Sequence, residues 1–327
     1  MKSITKLLAA TGGILCLLSS CDNNMNPLLT DSTLPYGAPR FDKIRTEHYL
    51  PAFEQAIAEA KAEIDAIVNN PDAPTFENTV VALDEAGSRL DDVAGIFYNL
   101  LEADTNERMQ DIAEKVSPMM TEYSMYVSLN EPLFARVKAV YESGVALEQD
   151  QATLLDKTWK SFVRGGANLG AEDKATYSKL SEELSLLTLQ YGKNVLAATN
   201  AFTLSLTEEA DLEGLPEFVR EAAVETAKSK NMDGWAFDLS APSYGAFMKY
   251  STRRDLRQKM WMAYNTRATE GDNSNIELCR QIAELRLRIA NVLGYATYAD
   301  YALEERMAKT PQTVNEFIQK LLEPSHP

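Results

Sequence analysis

The stretch LPAFEQAIAEAKAEIDAIV, residues 50–68, decides the fold class of this chain. Its apolar side chains recur at intervals of three or four residues, at Phe53, Ile57, Ala60, Ile64 and Ile67. This spacing puts them on one face of an α-helix. The segment NNPDAP, residues 69–74, then stops the helix, because proline cannot continue it. The pattern predicts a helix that buries one face in a core.

The same periodicity extends toward the C-terminus. A second helix is predicted from about Thr75 to Ala103, with an apolar stripe at Val80, Leu83, Leu90, Val93, Phe97 and Leu101. Asp104, followed three residues later by Glu107, predicts the N-terminal cap of a third helix. Further helices are predicted at 106–128, 131–142, 146–163 and 172–197. The glycine-rich segment RGGANLG, residues 164–170, is interpreted as the turn before the last of them.

The pattern changes near residue 200. AFTLSL, residues 201–206, alternates as a strand does, and GWAFDLSAP, residues 234–242, suggests a second short strand. We expect these strands to pair with each other or with something outside the chain. Residues 215–230 between them return to a helical pattern.

Three helical patterns follow. Thr252 and Asp255 predict a capping box that opens a helix through Arg267. The next stripe, closed by Gly294, comprises Ile276, Cys279, Ile282, Leu285, Ile289 and Val292. Thr310 and Pro311 predict the start of the last helix. No repeat of fixed period is present, so the predicted fold class is all-α with a minor β element.

The first residues carry the marks of a secretory signal. Lys2 and Lys6 precede an apolar run that ends in Leu18-Ser19-Ser20-Cys21. This tetrad resembles the lipobox of bacterial lipoproteins, in which the cysteine is acylated and becomes the first residue. The sequence therefore predicts a signal peptide at 1–20 and membrane attachment in the cell envelope through lipidated Cys21. The alternative is an ordinary cleaved signal in which Cys21 is incidental.

Charge and cysteine content exclude several classes of protein. The formal net charge is −16, and it becomes −18 once the two lysines of residues 1–20 are removed. Such an acidic chain repels phosphate backbones, so we expect no nucleic-acid partner. Removal of the signal also takes away Cys16, leaving Cys279 as the only cysteine besides Cys21. A disulfide framework and a cysteine zinc site are thereby excluded, and we expect Cys279 to be a buried core thiol.

Catalytic motifs are missing from the sequence. The chain has two histidines, His48 and His326, and neither HExxH nor GxSxG occurs. His48 lies at the start of a helix, so a surface or capping role is favoured over a catalytic one. We therefore assign no catalytic, cofactor-binding or metal-binding residue.

Several collinear stretches resemble one family. They are PYGAPRFDKIRTEHYLPAFEQAIAEAKAEIDAIVNNPDAPTFENTVVALDEAG at 35–87, VRGGANLGAEDKATYSKLSEELSLLTLQYGKNVLAATNAF at 163–202, YSTRRDLRQKMWMAYNTRA at 250–268 and RLRIANVLGYATYADYALEERMAKTPQTVNEFI at 286–318. Together they resemble the N-terminal half of bacterial peptidyl-dipeptidases, members of the thimet oligopeptidase-like zinc metallopeptidases. The resemblance runs from about residue 26 to 322.

The resemblance implies a helical, ellipsoidal fold divided by a channel that admits short peptides. In that family, zinc is held by an HExxH helix and a later glutamate. This motif does not occur here, so the resemblance implies zinc for the full-length enzyme and none for this chain. We expect the C-terminal catalytic half to be missing, the chain alone to be inactive, and helix faces that pack on that half to be exposed and prone to aggregation.

The expected organisation has four parts. Residues 1–20 are the signal peptide, 21–40 a tether and extended segment, 41–200 an N-terminal helical domain, and 201–327 the start of the catalytic domain. The favoured function is the N-terminal portion of a lipid-anchored zinc peptidase acting on short peptides. Two alternatives remain: a non-catalytic lipoprotein that captures peptides or glycans, and a peptidase fragment that assembles with a separately encoded catalytic half.

Overall fold

The computed structural model describes residues 25–325, and this part of the chain is mainly helical, as predicted. The predictions made for the signal peptide, Cys16, Cys21 and His326 lie outside the described residues. The first seven α-helices are α1 (Tyr49–Val68), α2 (Ala82–Glu85), α3 (Ser88–Ala103), α4 (Glu107–Ser128), α5 (Glu131–Glu142), α6 (Gln149–Arg164) and α7 (Ala171–Ala201).

Helix α1 is the predicted first helix, and its stripe lies in the core. All five predicted apolar positions are buried. Phe53 and Tyr49 both meet the ring of Phe97 from α3 edge to face, with ring centroids 5.4 and 5.0 Å apart. Phe53 and Phe97 are fully buried, so this aromatic cluster fixes how α1 packs on α3.

The predicted second helix is broken, which corrects the expectation of one continuous helix. After a π-helical turn (Phe76–Val81) and the short α2, the chain turns at Gly87, whose φ is +83°. A Cβ at this position would lie 3.1 Å from the hydroxyl of Tyr123, and the Gly87 N–H donates to a Glu63 carboxylate oxygen at 2.7 Å. The apolar stripe continues across the break, so periodicity alone did not reveal it.

The cap predicted at Asp104 is also wrong. Asp104 ends α3, since its N–H donates to the Leu100 carbonyl. The N-cap of α4 is Asn106, which has extended backbone and a side-chain oxygen that accepts the Met109 N–H at 3.1 Å. Asparagine and aspartate are comparable caps, and the backbone conformation selects Asn106.

Helix α7, with 31 residues, is the longest helix in the described part of the chain. It packs against both α4 and α11 (Ile276–Val292). Tyr177 and Leu180 of α7 form a buried cluster with Leu285 and Ile289 of α11. The predicted turn at 164–170 separates α6 from α7, with Gly166 at a φ of +89°.

The two predicted strands pair with each other. Strands β1 (Leu204–Leu206) and β2 (Trp235–Phe237) run antiparallel, with Ser205 opposite Ala236. They pack with α8 (Glu217–Ser229) and with two further helices, α9 (Ala241–Tyr250) and α10 (Arg254–Asn265), around Phe237 and Phe247. Helix α9 was not predicted, because its apolar residues do not form a continuous stripe.

The capping box predicted at Thr252 is not formed. Its hydroxyl and its N–H donate instead to the carbonyl of Glu213, and Asp255 pairs with Arg253 at 2.9 Å. This bond ties the start of α10 to the segment ahead of α8. Thr252 thus bonds to the distant Glu213 and not to Asp255, the local partner that was predicted.

Helices α12 (Tyr298–Leu303) and α13 (Pro311–Leu322) complete the described chain. Thr310 caps α13 by accepting the Thr313 N–H at 3.2 Å, as predicted, and Gly294 follows the end of α11 with a φ of +88°. None of the helices in residues 25–325 is both long and apolar enough to span a bilayer.

Candidate functional site

His48 accepts hydrogen bonds that hold the chain ahead of α1 in place. Its Nδ1 accepts the Arg45 N–H at 3.0 Å, and its carbonyl accepts the Asn26 side-chain amide at 2.7 Å. These bonds fix the turn (Thr46–His48) that leads into α1. The structure therefore places His48 in the capping role favoured from the sequence.

Cys279 is exposed, which overturns the expectation of a buried core thiol. At about 100° per residue, Cys279 lies roughly 80° around α11 from the buried Ile289, and Ile276 roughly 140°. Ile276 is accordingly 63% exposed. The true stripe of α11 is centred on Ile282, Leu285 and Ile289, and the first turn rotates away from it.

Metal-ligating side chains do not gather in the described part of the chain. Within residues 25–325, no three histidine, cysteine, aspartate or glutamate residues come together as a metal ion would need. These residues therefore do not fit the zinc centre that the resemblance implies for the full-length enzyme.

The best-built polar cluster joins α6 to α12, and we call it the Arg164 clamp: Arg164, Tyr295, Tyr301 and Glu304. The Arg164 guanidinium pairs with Glu304 and donates to the Tyr301 carbonyl at 2.8 Å. It also lies over the Tyr301 ring, 4.6 Å from the centroid. Only 16% of the Arg164 side chain is exposed, against 47% of the Glu304 side chain, so the clamp joins a mostly buried guanidinium to a half-exposed carboxylate far away in sequence.

The electrostatics of the clamp keep its phenols neutral. Burial, with the hydrogen bond to Glu304 and its charge, raises the pKa of Tyr295 to about 12, against the opposing effect of Arg164. Burial likewise raises the pKa of Tyr301. Tyr295 donates to Glu304 at 2.6 Å, so that carboxylate accepts from both the phenol and Arg164.

A second ion cluster lies beside the clamp. Glu305 pairs with Lys157 of α6 and lies 3.9 Å from Lys160, and the Lys157 contact holds the pKa of Glu305 below its usual value. Lys160 also pairs with Asp156 at 2.8 Å. The clamp and this cluster together fasten residues 304–305 to the last turns of α6. Sequence reasoning missed both, because their members are about 130–150 residues apart.

Helix α13 presents a bare apolar face. Val314, Phe317, Ile318 and Leu321 have the spacing of a buried stripe, yet α13 has no buried residue. Phe317 is 61% exposed and Leu321 is 55% exposed. A stripe of this kind indicates a packing partner that residues 25–325 do not provide.

The sequence of this chain is similar to those of known peptidases. Residues 247–327 match the model of Peptidase family M3. The chain is 34% identical over 302 residues to the dipeptidyl carboxypeptidase of Escherichia coli, across 91% of this chain and 44% of that protein. It is 35% identical over 304 residues to the Salmonella typhimurium dipeptidyl carboxypeptidase, across 92% of this chain and 45% of the relative.

Oligopeptidase A of Haemophilus influenzae is a further relative, 32% identical over 309 residues, across 92% of this chain and 45% of that protein. The resemblance stated from the sequence is therefore confirmed. The chain spans less than half the length of these curated relatives.

Proposed function

Because this chain is related to the M3 peptidases over most of its length, we propose that it is the N-terminal portion of a zinc peptidase that cleaves short peptides. The observation that carries this proposal is the collinear similarity to dipeptidyl carboxypeptidases, which covers 91% of the chain. The described residues hold no metal site, so the zinc chemistry belongs to the part of the relatives that this chain does not match.

The contribution of this portion is structural. The Arg164 clamp and the α7–α11 contact hold the segment that matches the family model onto the N-terminal helices. The bare face of α13 then packs against the catalytic portion. In this arrangement the chain forms one wall of a peptide channel and by itself neither binds zinc tightly nor hydrolyses peptides.

A chimera tests the proposed function. This chain would be followed by the region of the Escherichia coli dipeptidyl carboxypeptidase that lies beyond the match, and hydrolysis of short blocked peptides would be measured. We expect zinc-dependent hydrolysis that a chelator abolishes and added zinc restores. A folded, zinc-loaded chimera without activity would contradict the proposal. So would stoichiometric zinc retained by the present chain after dialysis.

The proposed location is the cell envelope, outside the cytoplasm, with the protein anchored to a bacterial membrane through acylated Cys21. The support is the signal-like residues 1–20 and the lipobox-like tetrad that ends at Cys21. Expression in bacteria of the wild type and of Cys21→Ser, followed by detergent phase partition, tests it. We expect the wild type in the detergent phase and the variant in the aqueous phase. An identical distribution of the two would rule out the anchor.

A further inference from the structure

A cleft of about 400 Å³ opens between α3, α4 and α7. Its walls are largely apolar and come from Tyr98 and Leu101 of α3, Ala113 of α4, and Leu189 and Leu196 of α7. The volume lies within the range of small-molecule sites, which is roughly 300–1,000 Å³. The ring of Tyr98 is held in place by edge-to-face contact with Phe97, 5.3 Å between centroids. The cleft therefore has at least one rigid wall.

Gly192 lines the cleft without placing a side chain in it. It lies inside α7, and a Cβ placed on it would meet nothing within 4 Å. Glycine inside a helix costs roughly 1 kcal/mol relative to alanine. Neither packing nor backbone conformation requires a glycine here, since its φ is not left-handed. What the glycine provides is open space between Leu189 and Leu196.

The polar groups at the rim favour a cation. Glu102 lines the cleft and is exposed, and no side chain among residues 25–325 forms an ion pair or hydrogen bond with it. Lys193 also lines the cleft, but its charge is matched by Glu114. Gln110 adds a side-chain amide. The rim therefore combines an unneutralised carboxylate with an amide that can donate and accept.

We propose that this cleft binds the N-terminal residue of a peptide that begins with a large apolar side chain. The side chain occupies the space over Gly192 between Leu189 and Leu196. The terminal ammonium pairs with the carboxylate of Glu102, and the Gln110 amide donates to the first carbonyl. The choice of a peptide rests on the proposed function, and the binding is measured without any catalysis.

The test is ligand-observed NMR titration of the chain with L-leucinamide, which carries a free ammonium, and with N-acetyl-L-leucinamide, which does not. We expect leucinamide to bind and the acetylated compound to bind at least about threefold more weakly, as for the loss of a partly exposed ion pair. Gly192→Leu fills the cleft and should weaken leucinamide binding at least tenfold. Glu102→Gln should weaken it about threefold and abolish the preference over the acetylated compound.

Gly95→Leu is the matched control, because Gly95 also lies inside a helix and a Cβ there meets nothing within 4 Å. We expect unchanged leucinamide affinity in Gly95→Leu, and circular dichroism verifies helix content in all variants. Equal binding of the two compounds, no binding of leucinamide, or undiminished binding in Gly192→Leu would each overturn the proposal. So would a dimer of the wild type that Gly192→Leu dissociates, since a second copy would then occupy the cleft. Glu102→Gln changes an exposed side chain, which keeps the test decisive if Gly192→Leu does not fold.

Discussion

Helices α1 and α13 carry the same kind of apolar stripe in different surroundings. Helix α1 has 20 residues and buries eight of them, whereas the 12-residue α13 buries none. Phe53 in the stripe of α1 is fully buried, whereas Phe317 in the stripe of α13 is 61% exposed. The difference shows that helical periodicity reports the existence of a packing partner and says nothing about where that partner lies.

The largest expected effect is at the centre of the well-packed region. Phe97→Ala removes a fully buried ring that contacts Tyr49, Phe53 and Tyr98, and it should lower the free energy of unfolding by about 3–5 kcal/mol. Urea unfolding followed by circular dichroism measures the loss. The matched control Phe317→Ala should change it by less than about 0.5 kcal/mol. Equal losses would remove the contrast between the two regions.

The second largest effect is expected at the Arg164 clamp. The clamp joins α6, one of the N-terminal helices, to the segment around α12 that precedes α13. Arg164→Ala removes the side-chain donor of the Tyr301 carbonyl and leaves Glu304 with the Tyr295 phenol as its remaining donor, and a loss of about 1–3 kcal/mol is expected. Arg280→Ala is the control. It also removes an arginine paired with two glutamates, but that side chain is 62% exposed, so the expected loss is under about 1 kcal/mol. A larger loss in the control would mean that burial does not govern these pairs.

Alkaline pH should loosen the contact between α7 and α11. Burial raises the pKa of Tyr177 to about 12 from 10.0, so the folded chain holds this proton more tightly than the unfolded chain. The stability that Tyr177 contributes is fully present below pH 10 and is lost as the pH rises through 12. At pH 11 the expected loss is about 1 kcal/mol.

Melting temperatures measured between pH 9 and pH 11 provide the readout. The Tyr177→Phe variant should lose less stability over this interval than the wild type, since it has no phenol to ionise. Identical pH profiles would show that this phenol ionises equally well in the folded and unfolded chains.

A small effect on stability is also expected for a double substitution on α13. Ile318→Ser with Leu321→Ser changes two exposed side chains and should shift the free energy of unfolding by less than about 1 kcal/mol. The same variant should reduce concentration-dependent light scattering, because the apolar face that drives association is interrupted. A large loss of stability would show that this face is already buried, and unchanged scattering would show that it does not drive association.

The sequence was most informative where the signal is local. The stripe of α1, the existence of α7, the later part of the α11 stripe and the Thr310 cap could be located because periodicity and capping depend on neighbouring residues. The turn at Gly87 was not predicted, because the apolar stripe from Val80 to Leu101 continues across it. Cys279 was placed wrongly because it lies roughly 80° around α11 from the buried Ile289, outside the buried face.

The polar clusters and the cleft could not be predicted. The bond from Thr252 to Glu213 spans 39 residues, and the contact of Arg164 with Glu304 spans 140. No local pattern records such distances. Gly192 was the only indication of the cleft in the sequence, since a glycine inside a regular helix often has a packing or functional role.

The Arg164 clamp also sets an order of events during biosynthesis. Glu304 follows Arg164 by 140 residues, which corresponds to roughly 7–28 s at a synthesis rate of about 5–20 residues per second. During that interval Arg164 and Lys157 of α6 are in place without Glu304 and Glu305, which later pair with them. The N-terminal helices can complete their aromatic cluster at once, whereas the attachment of the family-matching segment must wait. A protein with this layout completes its N-terminal helices before the segment that matches the family model can attach to them.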